Sequence, residues 1–305
     1  PFRDRDGPEV PGYRIGRLLG EGAMGRVHEA TRLPDGARFA AKILVGDTND
    51  TYLRRGLVNE AVAMADLHHP NIVEVIELVG HPLLGLVLIT ELVEGRSLHA
   101  ATDLGLVGRL RIIEQVLTGL SAAHAQGVVH GDLKPSNILI SQSSIAKICD
   151  FGIAQVLGPT KDGGLRRINA GTPLFMAPEQ FDDTATLQPR TDLYAIGVLV
   201  HQAVVGQHPW KSLDLAGLCV EKLKDFEPPK FDAWGRPLPR TLTSLIASLC
   251  QPRPELRLRF ALEALQALEV ARAEVERNSP AAPDVLPARP SPATIAQTEL
   301  LSRPI

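Results

Sequence analysis

The chain changes character at Gly95, and that change limits its fold more than any other feature. Upstream lie short apolar runs of strand type. Phe39 to Val45 is one, bounded in the manner of a buried strand. Tyr13 to Leu19 leads into a glycine-rich turn, and Arg26 to Thr31 leads out of it. Residues 72–79 and 85–92 are again β-like. Only residues 53–67, with Leu53, Leu57, Ala61, Met64 and Leu67 at helical intervals, break the run. Downstream, residues 109–126 form an amphipathic helix closed by Gly127, and 191–205, 241–250 and 261–277 read as further helices. Strands segregated from helices imply an α+β fold of two lobes with a cleft between them.

The 305 residues are 44% hydrophobic, enough to bury a large core. Lys plus Arg is 32 and Asp plus Glu is 35, so a net charge of −3 argues against a nucleic-acid or membrane-surface binder. No apolar run reaches the ~18 residues of a bilayer span. The N-terminus, PFRDRDGPEV, is charged and has neither a signal core nor an initiator Met, as expected of a fragment of a longer chain. Cys149, Cys219 and Cys250 are not spaced like metal ligands and read as free thiols of a reducing, cytoplasmic compartment. From Asn278 the sequence is rich in Pro and Ala, as in a linker or tail.

Four local patterns carry chemistry. Gly20-Glu21-Gly22-Ala23-Met24-Gly25, followed by Val27, would bring backbone N–H groups close to phosphates. Alone it could equally be a hairpin turn, or a dinucleotide-binding loop, which needs a helix where Arg26 to Ala30 looks like a strand. Lys42 lies in an apolar strand, where a lysine is costly unless paired. Glu60, on the helix that follows, is a natural partner; a solvent-facing strand-edge lysine is the alternative. Asp132, Lys134 and Asn137 fall within six residues between a helix and the strand Ile138 to Ile140. They could accept a hydroxyl proton, neutralise a phosphoryl group and ligate a metal, or form an ordinary polar loop. Asp150-Phe151-Gly152 follows the strand Ala146 to Cys149, and an Asp there suits Mg²⁺.

Taken in order, these patterns resemble the protein kinase family from about Tyr13 to about Glu276. The resemblance implies a two-lobed kinase fold with a β-rich N-lobe at 13–93 and a helical C-lobe at 94–277, a flank at 1–12 and a tail at 278–305. It implies ATP and Mg²⁺ as cofactors and protein substrates as partners. On the same ground Gly20, Gly22 and Gly25 would cover the phosphates of ATP, and Lys42, paired with Glu60, would bind them. Val27, Ala40 and Leu139 would sandwich the adenine, beside a gatekeeper at Thr90 and hinge groups at Glu91 and Val93. Asp132 would deprotonate the acceptor hydroxyl, Lys134 would steady the γ-phosphoryl group, and Asn137 and Asp150 would hold Mg²⁺. Asp192 would brace the catalytic loop, Arg257 would pair with Glu179, and Met64, Val75, His130 and Phe151 would stack. Lys134, and Thr172 with it, resemble the serine/threonine class. The sequence around Glu21 to Gly25 and the tail resemble its bacterial branch.

Two competing readings share the fold. A pseudokinase or scaffold would need a broken Lys, Asp or Asn, and none is broken. A small-molecule phosphotransferase would not need the segment ending in Ala177-Pro178-Glu179. A further domain beyond Ile305 is compatible with either. The sequence also departs from the common pattern. Gly131 stands where an Arg usually anchors an activation-loop phosphate, and Gln155 stands where a second cation is frequent. Thr160 is the candidate phosphosite, with Arg166 and Arg167 nearby on the same loop. The expectation is activity without loop phosphorylation. Cys149 is expected at the back of the ATP site, open to an electrophile or inert by burial.

Overall fold

The computed structural model describes residues 8–22, 25–44, 51–151, 173–182, 185–212 and 214–278. Six strands form an antiparallel sheet: β1 (Glu9–Val10), β2 (Tyr13–Gly22), β3 (Gly25–Arg32), β4 (Arg38–Leu44), β5 (Val75–His81) and β6 (Gly85–Glu91), in the order β1-β2-β3-β4-β6-β5. Helix α1 (Thr51–Met64) lies between β4 and β5 in the chain. The C-terminal part holds α2 (Leu106–Ala125), α3 (Pro189–Val205), α4 (Leu215–Lys222), α5 (Arg240–Leu249) and α6 (Ala261–Asn278). A second, small sheet of β7 (Gly95–Ser97), β8 (Ile138–Ser141) and β9 (Ala146–Ile148) sits beside them. This is the two-lobed α+β arrangement expected from the change at Gly95.

Period two decides the sheet. Ala41 and Ile43 of β4 join Ala30, Val87, Ile89, Tyr13 and Ile15 in one apolar cluster. Ala40 and Lys42 therefore point to the opposite face. Each large aliphatic residue buried this way contributes about 1.5–3 kcal/mol. In the helical part, Leu106, Leu110, Ile113, Leu117 and Leu120 of α2 recur at helical spacing and are buried. α2 stops where Gly127 takes a φ of +74°, a left-handed turn that glycine enters without a Cβ penalty. α3 is buried along almost its whole length, which makes it the centre of this lobe.

The ends of the expected helices fall within three residues of expectation. The helix expected to reach Leu67 ends at Met64, because residues 65–67 tighten into turns that bury Leu67 before Pro70. α6 runs to Asn278, one residue past the expected helix end; residues 279–305 lie outside the described part. Helix α4 was not foreseen.

One buried ion pair ties the helical lobe together. Arg257 Nη1 and Nη2 donate to Glu179 Oε1 (2.7 Å) and Oε2 (2.8 Å). The same guanidinium donates to the carbonyls of Arg190, Gln251 and Pro252. Thr191 Oγ1 adds a donor to Glu179 at 3.0 Å. Removing one partner of such a pair strands the other. Arg257→Leu should lose about 3–5 kcal/mol of unfolding free energy in chemical denaturation. A loss below about 1 kcal/mol, the scale of an exposed pair, would contradict this account.

Candidate active site

Register builds one wall of the site. Val27 lies opposite Lys42, Lys42 opposite Leu88, and Ala40 opposite Thr90. Opposed residues share a face, so all five look away from the Ala41 and Ile43 cluster. Val27, Ala40, Thr90, Val93 and Leu139 are each partly exposed, as residues lining a cleft would be. The Glu91 amide is committed to the Glu74 carbonyl (2.9 Å). Its side chain turns away, pairing with Lys147 Nζ at 2.6 Å. Glu91 therefore has its carbonyl, not its amide, to offer a ligand. A groove of about 560 Å³ runs along the outer side of this connection, past Arg38, Glu91, Glu94 and Lys147, and does not include Lys42.

Gly20, Gly22 and Gly25 lie where β2 turns into β3. A Cβ on Gly25 would sit 2.3 Å from the Ile43 carbonyl oxygen, so only glycine lets β3 approach β4 there. At Gly20 a Cβ would meet nothing within 4 Å. That position is free for an approaching ligand and is not demanded by packing.

Lys42 crosses from the sheet to both flanking elements. Its Nζ donates to Glu60 Oε2 on α1 (2.9 Å) and to Asp150 Oδ1 after β9 (2.5 Å). Burial opposes the ammonium, but Asp150 and Glu60 beside it hold its pKa above the usual lysine value. Burial pushes the Glu60 carboxyl up to about 7, against the pull of Lys42, and the Asp150 charge adds to the rise. Asp150 is half-buried, and although desolvation opposes its charge, Lys42 keeps it below the ordinary carboxylate range. Asp150 also adopts a φ of +63°, a conformation non-glycine residues rarely take and one that clusters at functional sites.

The loop after α2 carries Asp132, Lys134 and Asn137. Lys134 Nζ donates to Asp132 Oδ2 at 2.7 Å. Asn137 Nδ2 donates to the Asp132 carbonyl at 2.9 Å. The Asn137 carbonyl accepts from the Cys149 amide at 3.0 Å, so this loop and Asp150 are held side by side. His130 Nε2 donates to the Cys149 carbonyl (2.9 Å), and its Nδ1 accepts from the Asp132 amide (3.1 Å), which fixes its tautomer. Its ring lies 4.7 Å from that of Phe151. Phe151 and Met64 are buried in one cluster, with Val75 packed on it.

Asp192, at the start of α3, orients this loop from beneath. It accepts from the amides of His130 (2.9 Å) and Gly131 (2.8 Å) and from His124 Nε2 (2.8 Å). Burial raises its pKa, but these donors, His124 first, hold it below the usual value. Gly131 takes a φ of +73°. Sequence reasoning missed His124 and Gln180. Gln180 Nε2 donates to the Gly131 carbonyl (2.7 Å) and its Oε1 accepts from the Ala177 amide (2.8 Å). A Gln after Pro-Glu was the available signal. Gly152, Gln155, Thr160, Arg166, Arg167, Gly171 and Thr172 lie outside the described residues.

For Cys149, which is half-buried, the electrostatics favour the inert alternative. Burial and the Asp150 carboxylate push its thiol well above the usual cysteine value, and its Sγ donates to Asp150 Oδ2 at 3.5 Å. Little thiolate is present at neutral pH. Alkylation at pH 7.5, followed by mass spectrometry, should label Cys149 at least about tenfold more slowly than a free peptide thiol, with or without ATP. Fast, ATP-protected labelling would contradict this.

Comparison with known proteins agrees with this geometry. The profile of the protein kinase domain matches residues 13–269. Serine/threonine-protein kinase pkn3 of Myxococcus xanthus is 35% identical over 229 residues, covering 71% of this chain and 42% of that protein. Serine/threonine-protein kinase PknH of Mycobacterium tuberculosis H37Rv is 31% identical over 302 residues, 92% of this chain and 47% of that protein. A plant relative, CBL-interacting protein kinase 17 of Oryza sativa subsp. japonica, is 29% identical over 82% of this chain and 55% of that protein. The chain thus spans about half the length of the curated relatives it matches. With the profile covering residues 13–269 and the strands and helices arranged as above, the chain belongs to the protein kinase family.

Proposed function

We propose that this domain transfers the γ-phosphoryl group of ATP to serine and threonine hydroxyls of protein substrates, with Mg²⁺. The observation that carries the reading is Lys42, held between Glu60 and Asp150 at 2.9 and 2.5 Å, with Asp150 tied to the Asp132–Asn137 loop through the Cys149 amide on the Asn137 carbonyl (3.0 Å). Lys42 would exchange its carboxylate contacts for phosphate oxygens, under a cover of Gly20, Gly22 and Gly25. Val27, Ala40 and Leu139 would enclose the base, with Thr90 behind it and Glu91 and Val93 at the edge.

Asp150 and Asn137 fit a hard divalent cation. One is an ionised carboxylate and the other an amide oxygen, and such an ion takes its remaining ligands from phosphate and water. When bound it would neutralise charge on the phosphates. Asp132 would take the proton of the acceptor hydroxyl as that oxygen bonds to phosphorus and the bond to the departing ADP breaks. Lys134, 2.7 Å from Asp132, would face the charge on the transferring group. The three cysteines are free thiols, which suits a cytoplasmic setting. Among the described residues no helix is long and apolar enough to cross a membrane.

Gly131 presents no cation to a loop phosphate. Its carbonyl instead accepts from Gln180, a neutral contact that needs no modification. Regulation by Thr160 phosphorylation is therefore not required by this reading.

Three experiments test the proposal. Asp132→Asn should lower transfer to a Ser/Thr peptide library by about 10²-fold or more. The wild type should label Ser and Thr, as read by phosphosite mapping, and phosphotyrosine as the main product would refute the class assigned. Thr160→Ala should keep its rate within about tenfold of dephosphorylated wild type, a difference of less than about 1.4 kcal/mol in barrier.

A further inference from the structure

The last residue of α4, Lys222, is fully buried at 0% exposure. A buried ammonium normally needs a carboxylate. Among the described residues Lys222 has none within ion-pair distance, and its hydrogen bonds go to backbone. Its Nζ donates to the carbonyls of Leu174 (3.0 Å) and Met176 (2.5 Å). Rings of Tyr194, Trp210 and Phe181 stand 5.3, 5.5 and 5.9 Å from it, and burial still pulls its pKa down to about 7. Tyr194 and Trp210 are themselves stacked.

The segment it holds is irregular. Residues 173–177 belong to no helix or strand, so no ladder supplies donors to their carbonyls. Downstream the chain is pinned by Glu179 on Arg257. On its other side the segment borders the catalytic loop: Phe175 and Met176 share a cavity of about 10 Å³ with Gly131, Asp132 and Leu133. Its path therefore decides what surface a polypeptide meets beside Asp132. Core packing alone would be served as well by an aliphatic side chain in place of Lys222.

We propose that Lys222 is a positioning residue for the protein acceptor: it fixes the Leu174–Met176 backbone as the floor on which the acceptor chain lies. This rests on the kinase reading above. Lys222 acts through backbone carbonyls of the helical lobe and is remote in the fold from the β3–β4 face that would hold nucleotide. Its loss should therefore weaken peptide use and spare ATP use.

The test compares the full chain as wild type, Lys222→Met and Lys222→Arg on a Ser/Thr peptide. Lys222→Met keeps the apolar stem and removes the donors. It should raise the peptide KM about tenfold and leave the ATP KM within about twofold. Lys222→Arg, which restores donors, should recover much of the loss. Amide exchange at residues 174–177 should quicken in Lys222→Met. If that variant does not fold, Lys222→Gln is judged by the same split. An unchanged peptide KM, or equal rises for ATP and peptide, would overturn the inference. A wild type that hydrolyses ATP but modifies no peptide would sink the kinase reading and this inference with it. An active wild type with an unaffected Lys222 variant would sink this inference alone.

Discussion

The buried carboxylate of Asp192 is the constraint on which the loop geometry hangs. It sits in the first turn of α3, where the helix dipole favours a negative charge. Its acceptors are taken by two consecutive backbone amides and a histidine ring. Two amides from His130 and Gly131 cannot both reach one carboxylate unless the chain turns sharply, and the left-handed Gly131 supplies the turn. His130 is then aimed at the Cys149 carbonyl, and Asp132 follows at a fixed place. A single ionised group, desolvated but fully hydrogen-bonded, thus relates α2, α3, the loop and β9. Truncating it would leave three donors buried without acceptors, at about 1–3 kcal/mol each.

Lys42 does for the two lobes what Asp192 does within one. It joins the sheet, α1 and the end of β9 through two contacts, and the side chain is only 13% exposed. The pairing of β4 with β3 and β6 is what aims it. A slip of one residue would exchange Lys42 with Ala41 and drive a charge into the apolar cluster of Ile15, Ile43 and Ile89. Burial favours neutral groups at this site and the mutual attraction favours charged ones. Here the attraction keeps Lys42 and Asp150 charged, while Glu60 lies near balance.

Much of this was legible in the sequence. The long helices α2, α3, α5 and α6 announce themselves by periodicity, and β3, β4 and β6 by short β-branched or aliphatic runs between turns. Lys42, Asp132 and Asp150 stand out because each is a charge in an apolar or glycine-marked setting. What stayed hidden was what depends on long-range meeting. β1 and β7 are two and three residues long, too short to carry a period. α4 has eight residues, and its Glu221-Lys222-Leu223-Lys224 end reads like a solvated helix terminus. Only the packing of Tyr194 and Trp210 turns Lys222 inward. Gln180 and His124 are ordinary polar residues until the fold brings Gly131 and Asp192 to them. Cys149 could be placed by its neighbour in the chain, but its acidity depends on a desolvation that local sequence does not display.

The turn between β3 and β4 has a different consequence. The chain reverses at residues 33–36, where Gly36 takes a φ of +71° and Arg32 grips Asp35 at 2.6 Å on the surface. Leu33 at its tip is 43% exposed and packs into no core. The register that aims Lys42 is set by the ladder from Gly25–Leu44 to Thr31–Arg38, not by this tip. Lengthening the tip would leave the ladder intact, and each doubling of loop length costs only about 0.6 kcal/mol. The strands on either side admit no such change, since one added residue reverses their faces. Among the described residues, this hairpin is therefore a place where a reporter or affinity segment could be spliced in, at the end of β3 and β4 opposite the glycine turn, while the register of the ladder is kept.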